Sequence, residues 1–540
     1  MALVPWLLAL RDVSRRRAWW SSYLVGLVFF LGSMWWLTKL TAFGGWVAIL
    51  GWLLLCAYLA LYFAVFGWVA HWMLSSRFET RAPRTSHLAP IVALPSCWVA
   101  LEFARTHLLS GLGWNLLGYS QQPVVPLIQT AALTGVWGVS FLIVMMNVAI
   151  SLYASNRPTS IRAMSVLLAV GCVLGSRAYG EWRLRQPATA VAQHDGGPGP
   201  APAATVRVAV VQGSIPQEQK WDEEFQAEIL SRYERLTRAI AAQHPDVIVW
   251  PETAVPALLG VHPEVTARVQ GLAQELGVPL VIGAPMTTEV PSAEFRVPSS
   301  HSHLLPLTSH LTNSAVLLDA DGIIVGRYDK LHLVPFGEFI PFEGVAPWLR
   351  DLLPPIGEFV PGHEHTVFTA FMRNAEFGMR NGNPALRTPH SELKFSVLIC
   401  FEDTFPELAR AFVREGARLL MTITNDAWFG PTAAAYQHAQ ASTFRAVELG
   451  VPMIRAANTG WSGCIDAHGR WLASVSTPQG GELFVEGAAV CDVTPGSSPT
   501  VYARWGDWFA WGCVLLSGCV IIPCFISHGH HRRSHRGAFG

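Results

Sequence analysis

Residues 45–70 read GWVAILGWLLLCAYLALYFAVFGWVA, a run without a single charged side chain and studded with tryptophan and tyrosine. It exceeds the roughly 20 apolar residues a helix needs to cross a bilayer, and its aromatic residues suit the two membrane interfaces. A chain that carries such a run must fold partly in lipid. Further apolar stretches at 22–38, 88–105, 125–153, 163–179 and 508–527 repeat the signal. With only 14% charged residues against 51% hydrophobic ones, the chain departs from soluble composition. Its 38 basic and 38 acidic residues cancel. There is no global basic field, so nucleic acid is excluded as a partner.

Basic residues cluster in RDVSRRR (11–17), SSRFETRAPR (75–84), SNRPTSIR (155–162) and HHRRSHR (530–536). Placing these loops in the cytoplasm gives an even number of spans between each pair and puts residues 180–507 on the outer side. The opening MALVPWLLAL is too short to span and lacks the marks of a signal peptide. It reads as the tail of a helix whose start is missing. The expected organisation is therefore membrane helices over 1–185, a Pro, Gly and Ala linker over 186–204, an outer domain over 205–500, a last membrane helix over 505–528 and a basic cytoplasmic tail over 529–540.

From Thr205 onward, short Val/Ile-rich runs such as VRVAVVQ, PLVIGAP and RLLMTITND alternate with helical patterns at 225–244 and 263–276, which predicts an α/β domain. The Asp321-Gly322 and His468-Gly469 steps predict hairpins. The Ser- and His-rich segment 286–312 reads as a surface loop. Nine cysteines without a CxxC pair, six of them in apolar runs, suggest neither a disulfide framework nor a zinc ribbon. HExxH, GxxxxGK[ST] and GxSxG are absent from the sequence, and the histidines of GHEHT and the C-terminal tail lack metal-site spacing. No cofactor and no metal is expected.

Three predicted strand ends carry ionisable residues of complementary type: Glu252 in VIVWPETAVP, Lys330 in GRYDKLHLVPFGE and Cys400 in SVLICFEDTFPE. Carboxyl ends of strands are where α/β sites assemble. Each residue alone reads more readily as structural or solvated. As a trio they make chemical sense: a thiol nucleophile with an ammonium to favour thiolate or oxyanion, and a carboxylate to take and return the proton.

WPET, YDKLHLVPFGEF, ICFED and TNDAWFG, in that order, resemble the nitrilase superfamily. With the flanking apolar helices, VVQGSIPQEQKWD and the long segment following TNDAWFG, the chain resembles more narrowly the apolipoprotein N-acyltransferases. The resemblance implies an αββα sandwich attached to an α-helical membrane bundle, and a Glu, Lys, Cys triad at Glu252, Lys330 and Cys400. It implies that Glu338 is a second required glutamate, that Glu402 is the acidic residue behind the nucleophile and that Trp221 stands near the substrate entrance. Phe401 departs from the tyrosine common at that position. Asn425, Asp426 and Arg445 are expected to support the site or the sandwich. The implied reaction moves an acyl chain from a phospholipid, through a thioester, to the α-amine of a diacylglyceryl-cysteine apolipoprotein. Both substrates are membrane lipids, which accounts for the helices.

The segment 336–362 carries Phe336, Phe339, Phe342, Trp348, Leu349 and Leu352 among prolines and glycines, and suits a hydrophobic lid. An arm packed on the domain's own core fits it equally well. Two other readings of the chain stay open on residues alone. One is a membrane-tethered amidase that hydrolyses a small amide with the same triad. The other is a transporter or receptor with a ligand-binding outer domain, although its spans carry few ionisable residues beyond Lys39, His71 and Glu102.

Overall fold

The computed structural model describes residues 2–75, 87–186, 205–289, 309–341, 347–348, 350, 359–372, 391–496 and 499–519. The chain divides into two compact units. One comprises Met1–Trp35, Ile49–Arg185 and Trp505–Gly540; the other comprises Trp36–Ala48 and Gln186–Arg504.

The first unit is helical. Among the described residues, three helical stretches are long and apolar enough to cross a membrane: Trp35–Leu74, Val136–Tyr153 and Thr159–Arg185. The first is broken at Gly45, whose φ of 53° lies where only glycine is unstrained. The apolar stretches at 22–38 and 88–105 do form helices, Arg15–Ser33 and Pro90–His107. Neither reaches the same measure: the former opens on three arginines and the latter includes Glu102 and Arg105. The stretch 125–153 is two short helical turns followed by Val136–Tyr153. The last predicted span is helical over Trp508–Cys519, and its remainder lies outside the described residues. Trp137 Nε1 donates to Asp507 at 2.6 Å and joins that helix to Val136–Tyr153.

The second unit is a four-layer α/β sandwich. Its first sheet contains β1 (Val206–Gln212), β2 (Val247–Val249), β3 (Leu280–Glu289), β4 (Ser309–Leu318), β5 (Ile324–Asp329) and β12 (Gly487–Val493), in the order β12-β1-β2-β3-β4-β5. Its second contains β6 (Phe368–Met372), β7 (Ser391–Ile399), β8 (Leu419–Thr424), β9 (Met453–Ala457), β10 (Gly463–Ile465) and β11 (Trp471–Ser474), in the order β11-β10-β9-β8-β7-β6. The centre of each sheet is parallel, β1-β2-β3 and β7-β8-β9. β2, β8 and β9 are buried along their whole length, as central parallel strands covered on both faces are.

Helices α1 (Glu223–Ala241) and α2 (Pro263–Leu276) cover the outer face of the first sheet, where Ile229, Tyr233, Val269 and Leu272 share one core with Val211, Ile248 and Ile282. Helices α3 (Pro406–Arg414) and α4 (Ala434–Leu449) pack on the second sheet. The sheets face one another through β1 against β9 and β4 against β7. This is the αββα architecture expected from the sequence.

Three local features differ from the sequence reading. The segment 286–312 is not all loop, because β3 and β4 run into it as a ten-residue antiparallel pair from Leu280↔Leu318 to Glu289↔Ser309. Cys464 on β10 and Cys491 on β12 form a disulfide that joins the two sheets. Spacing could not reveal the pair, because the two strands meet only in the folded sandwich. Finally, residues 36–48 belong with the sandwich. Trp36 donates to Gln437 at 3.0 Å and packs edge-on to Phe429, while Phe43 packs against Trp428.

Candidate active site

Glu252 follows β2, Lys330 follows β5 and Cys400 follows β7, so the two sheets bring three strand ends to one place. Each turn is held by buried contacts. The Trp250 ring, which precedes Glu252 in WPET, stacks on Tyr233 at 5.0 Å and donates Nε1 to Thr237. Gly283 on β3 lies directly under this turn; a Cβ there would stand 2.4 Å from the Pro251 carbonyl and 2.6 Å from Glu252 Cα. Non-glycine residues with left-handed φ mark the site: Thr253 at 45°, Cys400 at 55° and Phe336 at 61°. Such backbone costs about 1–3 kcal/mol per residue and persists only where surroundings impose it.

Lys330 is 1% exposed. Its Nζ lies 2.8 Å from Glu338 Oε2 and 3.7 Å from Glu252 Oε1. Burial works against this charge, but Glu338 and then Glu252 outweigh it and hold the ammonium above the ordinary lysine range. Asn313 Nδ2 bridges the carboxylates, donating to Glu252 Oε1 at 2.7 Å and Glu338 Oε1 at 2.8 Å. The Val334 amide adds a third donor to the pair, at Glu338 Oε2.

Cys400 is half-buried. Burial pushes its thiol above the usual cysteine range, Glu252 adds to the effect, and Lys330 opposes it without prevailing. The balance of these influences favours the neutral thiol over the thiolate.

Glu402, fully buried, is a clamp. Its Oε1 accepts from the Tyr328 hydroxyl and the Leu331 and His332 amides, and its Oε2 accepts from the Ile399 amide at 2.7 Å. One carboxylate thus ties the lysine turn to the nucleophile turn. Burial lifts its pKa to about 7, with the Ile399 amide pulling the other way. Phe401 packs edge-on to Phe405 at 5.0 Å, and the His332 ring covers Phe405 at 3.8 Å, so the phenyl at this position serves packing.

Asn425 donates to Gln217 at 2.7 Å and accepts from Asn458, which joins the second sheet to the loop before α1. Arg445 is buried and pairs with Glu448 while donating to the Asp403 carbonyl; it supports the backbone behind Cys400. Trp221 is 49% exposed. Of the 336–362 segment, Phe336 and Trp348 are exposed, whereas Phe342, Leu349 and Leu352 lie outside the described residues.

The sequence reading passed over three groups. Asn313 sits inside β4, where its neighbours suggested only a strand. Lys220, 2% exposed, donates Nζ to the Glu252 carbonyl at 2.9 Å. Behind Cys400, His438 Nε2 donates to the Cys400 carbonyl at 3.1 Å and lies 2.9 Å from Asp403, while Nδ1 lies 3.0 Å from Asp426. Arg455 pairs with both aspartates, at 2.8 and 3.1 Å. Only Arg455 carried a signal, a charge inside the apolar run VPMIRAA; Lys220 lies in the polar stretch QEQKWDEE. Among the described residues no group of His, Cys, Asp and Glu could hold a metal ion.

Residues 207–486 match the carbon-nitrogen hydrolase family and residues 1–149 match the apolipoprotein N-acyltransferase N-terminal domain. An apolipoprotein N-acyltransferase of Geobacter metallireducens is 39% identical over 82% of this chain and 76% of its own length. That of Methylococcus capsulatus is 33% identical over 83% of this chain and 76% of its own length. Among solved structures, an amidase from Nesterenkonia sp. is 18% identical, with a TM-score of 0.35, over 56% of this chain and 94% of that one. With both halves matched and relatives of this identity spanning most of its length, the chain belongs to the apolipoprotein N-acyltransferase family of acyltransferase enzymes.

Proposed function

We propose that the chain N-acylates apolipoproteins in two steps through a thioester on Cys400. The observation that carries this reading is the convergence of Glu252, Lys330 and Cys400 from three strand ends, two on one sheet and one on the other. In the first step Glu252 takes the thiol proton as Sγ attacks the ester carbonyl carbon of a membrane phospholipid. The oxyanion forms beside the Lys330 ammonium. When the intermediate collapses, the carbon–oxygen bond breaks, the leaving alkoxide takes the proton from Glu252, and a lysophospholipid departs. In the second step the α-amine of a diacylglyceryl-cysteine attacks the thioester. Glu252 accepts an amine proton, the carbon–sulfur bond breaks, and the proton passes to the leaving thiolate, which restores Cys400.

The helical unit, with its apolar stretches, holds the enzyme in a bacterial inner membrane as a multi-pass protein, with the sandwich on the outer side of the bilayer. There both substrates lie in the leaflet it faces. Trp221 and the exposed Phe336 and Trp348 line the approach of the acyl chains. The test is intact-mass measurement of purified protein mixed with phospholipid. The expected result is an acyl adduct on Cys400 that vanishes when a diacylglyceryl peptide is added and never forms in Cys400→Ser. Release of free fatty acid with no acylated peptide would refute transfer.

A further inference from the structure

Glu252 and Glu338 accept hydrogen bonds from the same Asn313 nitrogen, which fixes two carboxylates side by side in a buried site. Lys330 serves both, closely for Glu338 and at 3.7 Å for Glu252. Two carboxylates with one cation between them leave an excess of negative charge beside the thiol that must lose its proton in the attack.

We propose that Lys220 is a positioning residue for the acylation step, supplying the second cation that balances the two carboxylates and holding the Glu252 backbone in line with Cys400. This rests on the thioester reading above. Lys220 is buried, its Nζ donates to the Glu252 carbonyl, and it lies within electrostatic reach of both Glu252 and Cys400. With it, the cluster of Glu252, Glu338, Lys330 and Lys220 is neutral. Cys400 also lies within electrostatic reach of Glu252, Asn313 donates to Glu252, and Asp426, which faces Cys400, is already paired with His438 and Arg455. Burial lowers the Lys220 pKa to about 8, the two acidic neighbours opposing, so the side chain is mostly an ammonium at neutral pH.

The loop that delivers Lys220 is built for fixed placement. Ser214 adopts a left-handed φ of 52°, its amide donates to the Asn458 carbonyl, the Ile215 amide donates to Asn458 Oδ1, and Gln217 accepts from Asn425. A lysine that merely filled space would not need a polar scaffold anchored in the opposite sheet.

The experiment follows single-turnover acylation of Cys400 by mass against pH, in the full-length protein with phospholipid and no acceptor. Lys220→Gln keeps a donor for the Glu252 carbonyl and removes the charge; Lys220→Arg keeps both. The expected result is that Lys220→Gln acylates about tenfold more slowly near neutral pH and recovers as pH rises, its midpoint displaced by about one unit. Lys220→Arg should stay near the wild-type profile. Lys220→Met, an apolar replacement suited to a buried position, takes the same measurement if the glutamine variant does not fold. A midpoint unchanged from wild type in both neutral variants, or a loss equal at every pH, overturns the proposal while leaving the thioester reading intact. Wild-type protein that forms no Cys400 adduct overturns both.

Discussion

Replacing His438 with asparagine should make the stability of this protein depend on pH in a calculable way. His438 is 1% exposed and has Asp403 on one ring nitrogen and Asp426 on the other. Burial and Arg455 work against its charge, yet the two aspartates outweigh them and raise its pKa from 6.5 to about 9. At about 1.4 kcal/mol per unit, the imidazolium contributes roughly 3 kcal/mol to folding. The folded pKa lies above the unfolded one, so this contribution is complete below about pH 6.5 and is lost as pH rises through about 9. Near pH 7.5 about 2 kcal/mol should remain. The depressed pKa values of Asp403 and Asp426 express the same contacts from the acid side and are not added again. In His438→Asn the aspartates keep Arg455 as their shared guanidinium partner, and removing one member of a buried charge cluster costs about 3–5 kcal/mol.

The assay is apparent Tm in detergent at one scan rate, for wild type and variant, from about pH 6 to 10. For a domain of this size about 1 kcal/mol corresponds to roughly 2 °C. The variant should melt about 6–10 °C lower near pH 6.5, and the gap should narrow by about 6 °C near pH 10. Taking the difference between the two proteins removes titrations they share. A gap of constant size across the range would mean that the folded imidazole is neutral, and the argument would fail.

Gly283→Ala should cost about 1–3 kcal/mol, because its Cβ would meet backbone atoms of Pro251, Glu252 and Thr253. Acylation should slow as Glu252 is displaced, and a variant with wild-type Tm and rate would contradict the close approach. Cys464→Ser should lower stability by about 3 kcal/mol, since the bridge to Cys491 closes a loop with a sequence separation of 27; unchanged melting with and without reductant would show that the bridge does not form in the protein as purified. Trp348→Ser, at a residue 62% exposed, should reduce turnover of long-chain phospholipid without altering Tm, and equal turnover of long- and short-chain donors in wild type and variant would remove the residue from the acyl-chain path.

The fold was legible where one-dimensional patterns report three-dimensional environment. The apolar runs of β1, β7, β8 and β9 read as strands, and α2 runs over the predicted 263–276. The sequence missed β6 and β12, which lie at the edges of their sheets. Of the candidate site, the acid, the lysine and the thiol were readable because each follows a strand within a distinctive motif. Lys220, Asn313 and His438 were not, since nothing local distinguishes a side chain that will point into a site from one that will point into solvent.

The residue order alone determined that part of this chain must enter lipid and part must form an α/β sandwich, because hydrophobic length and strand periodicity are properties of contiguous residues. Which charges meet is a different matter. Only the tertiary fold places Glu252 beside Glu338, aims Lys220 at the Glu252 turn and sets His438 behind Cys400, since those contacts join residues from about 30 to more than 80 positions apart. The same fold buries the Cys400 thiol beside a carboxylate, and those two influences raise its pKa against the pull of the Lys330 ammonium.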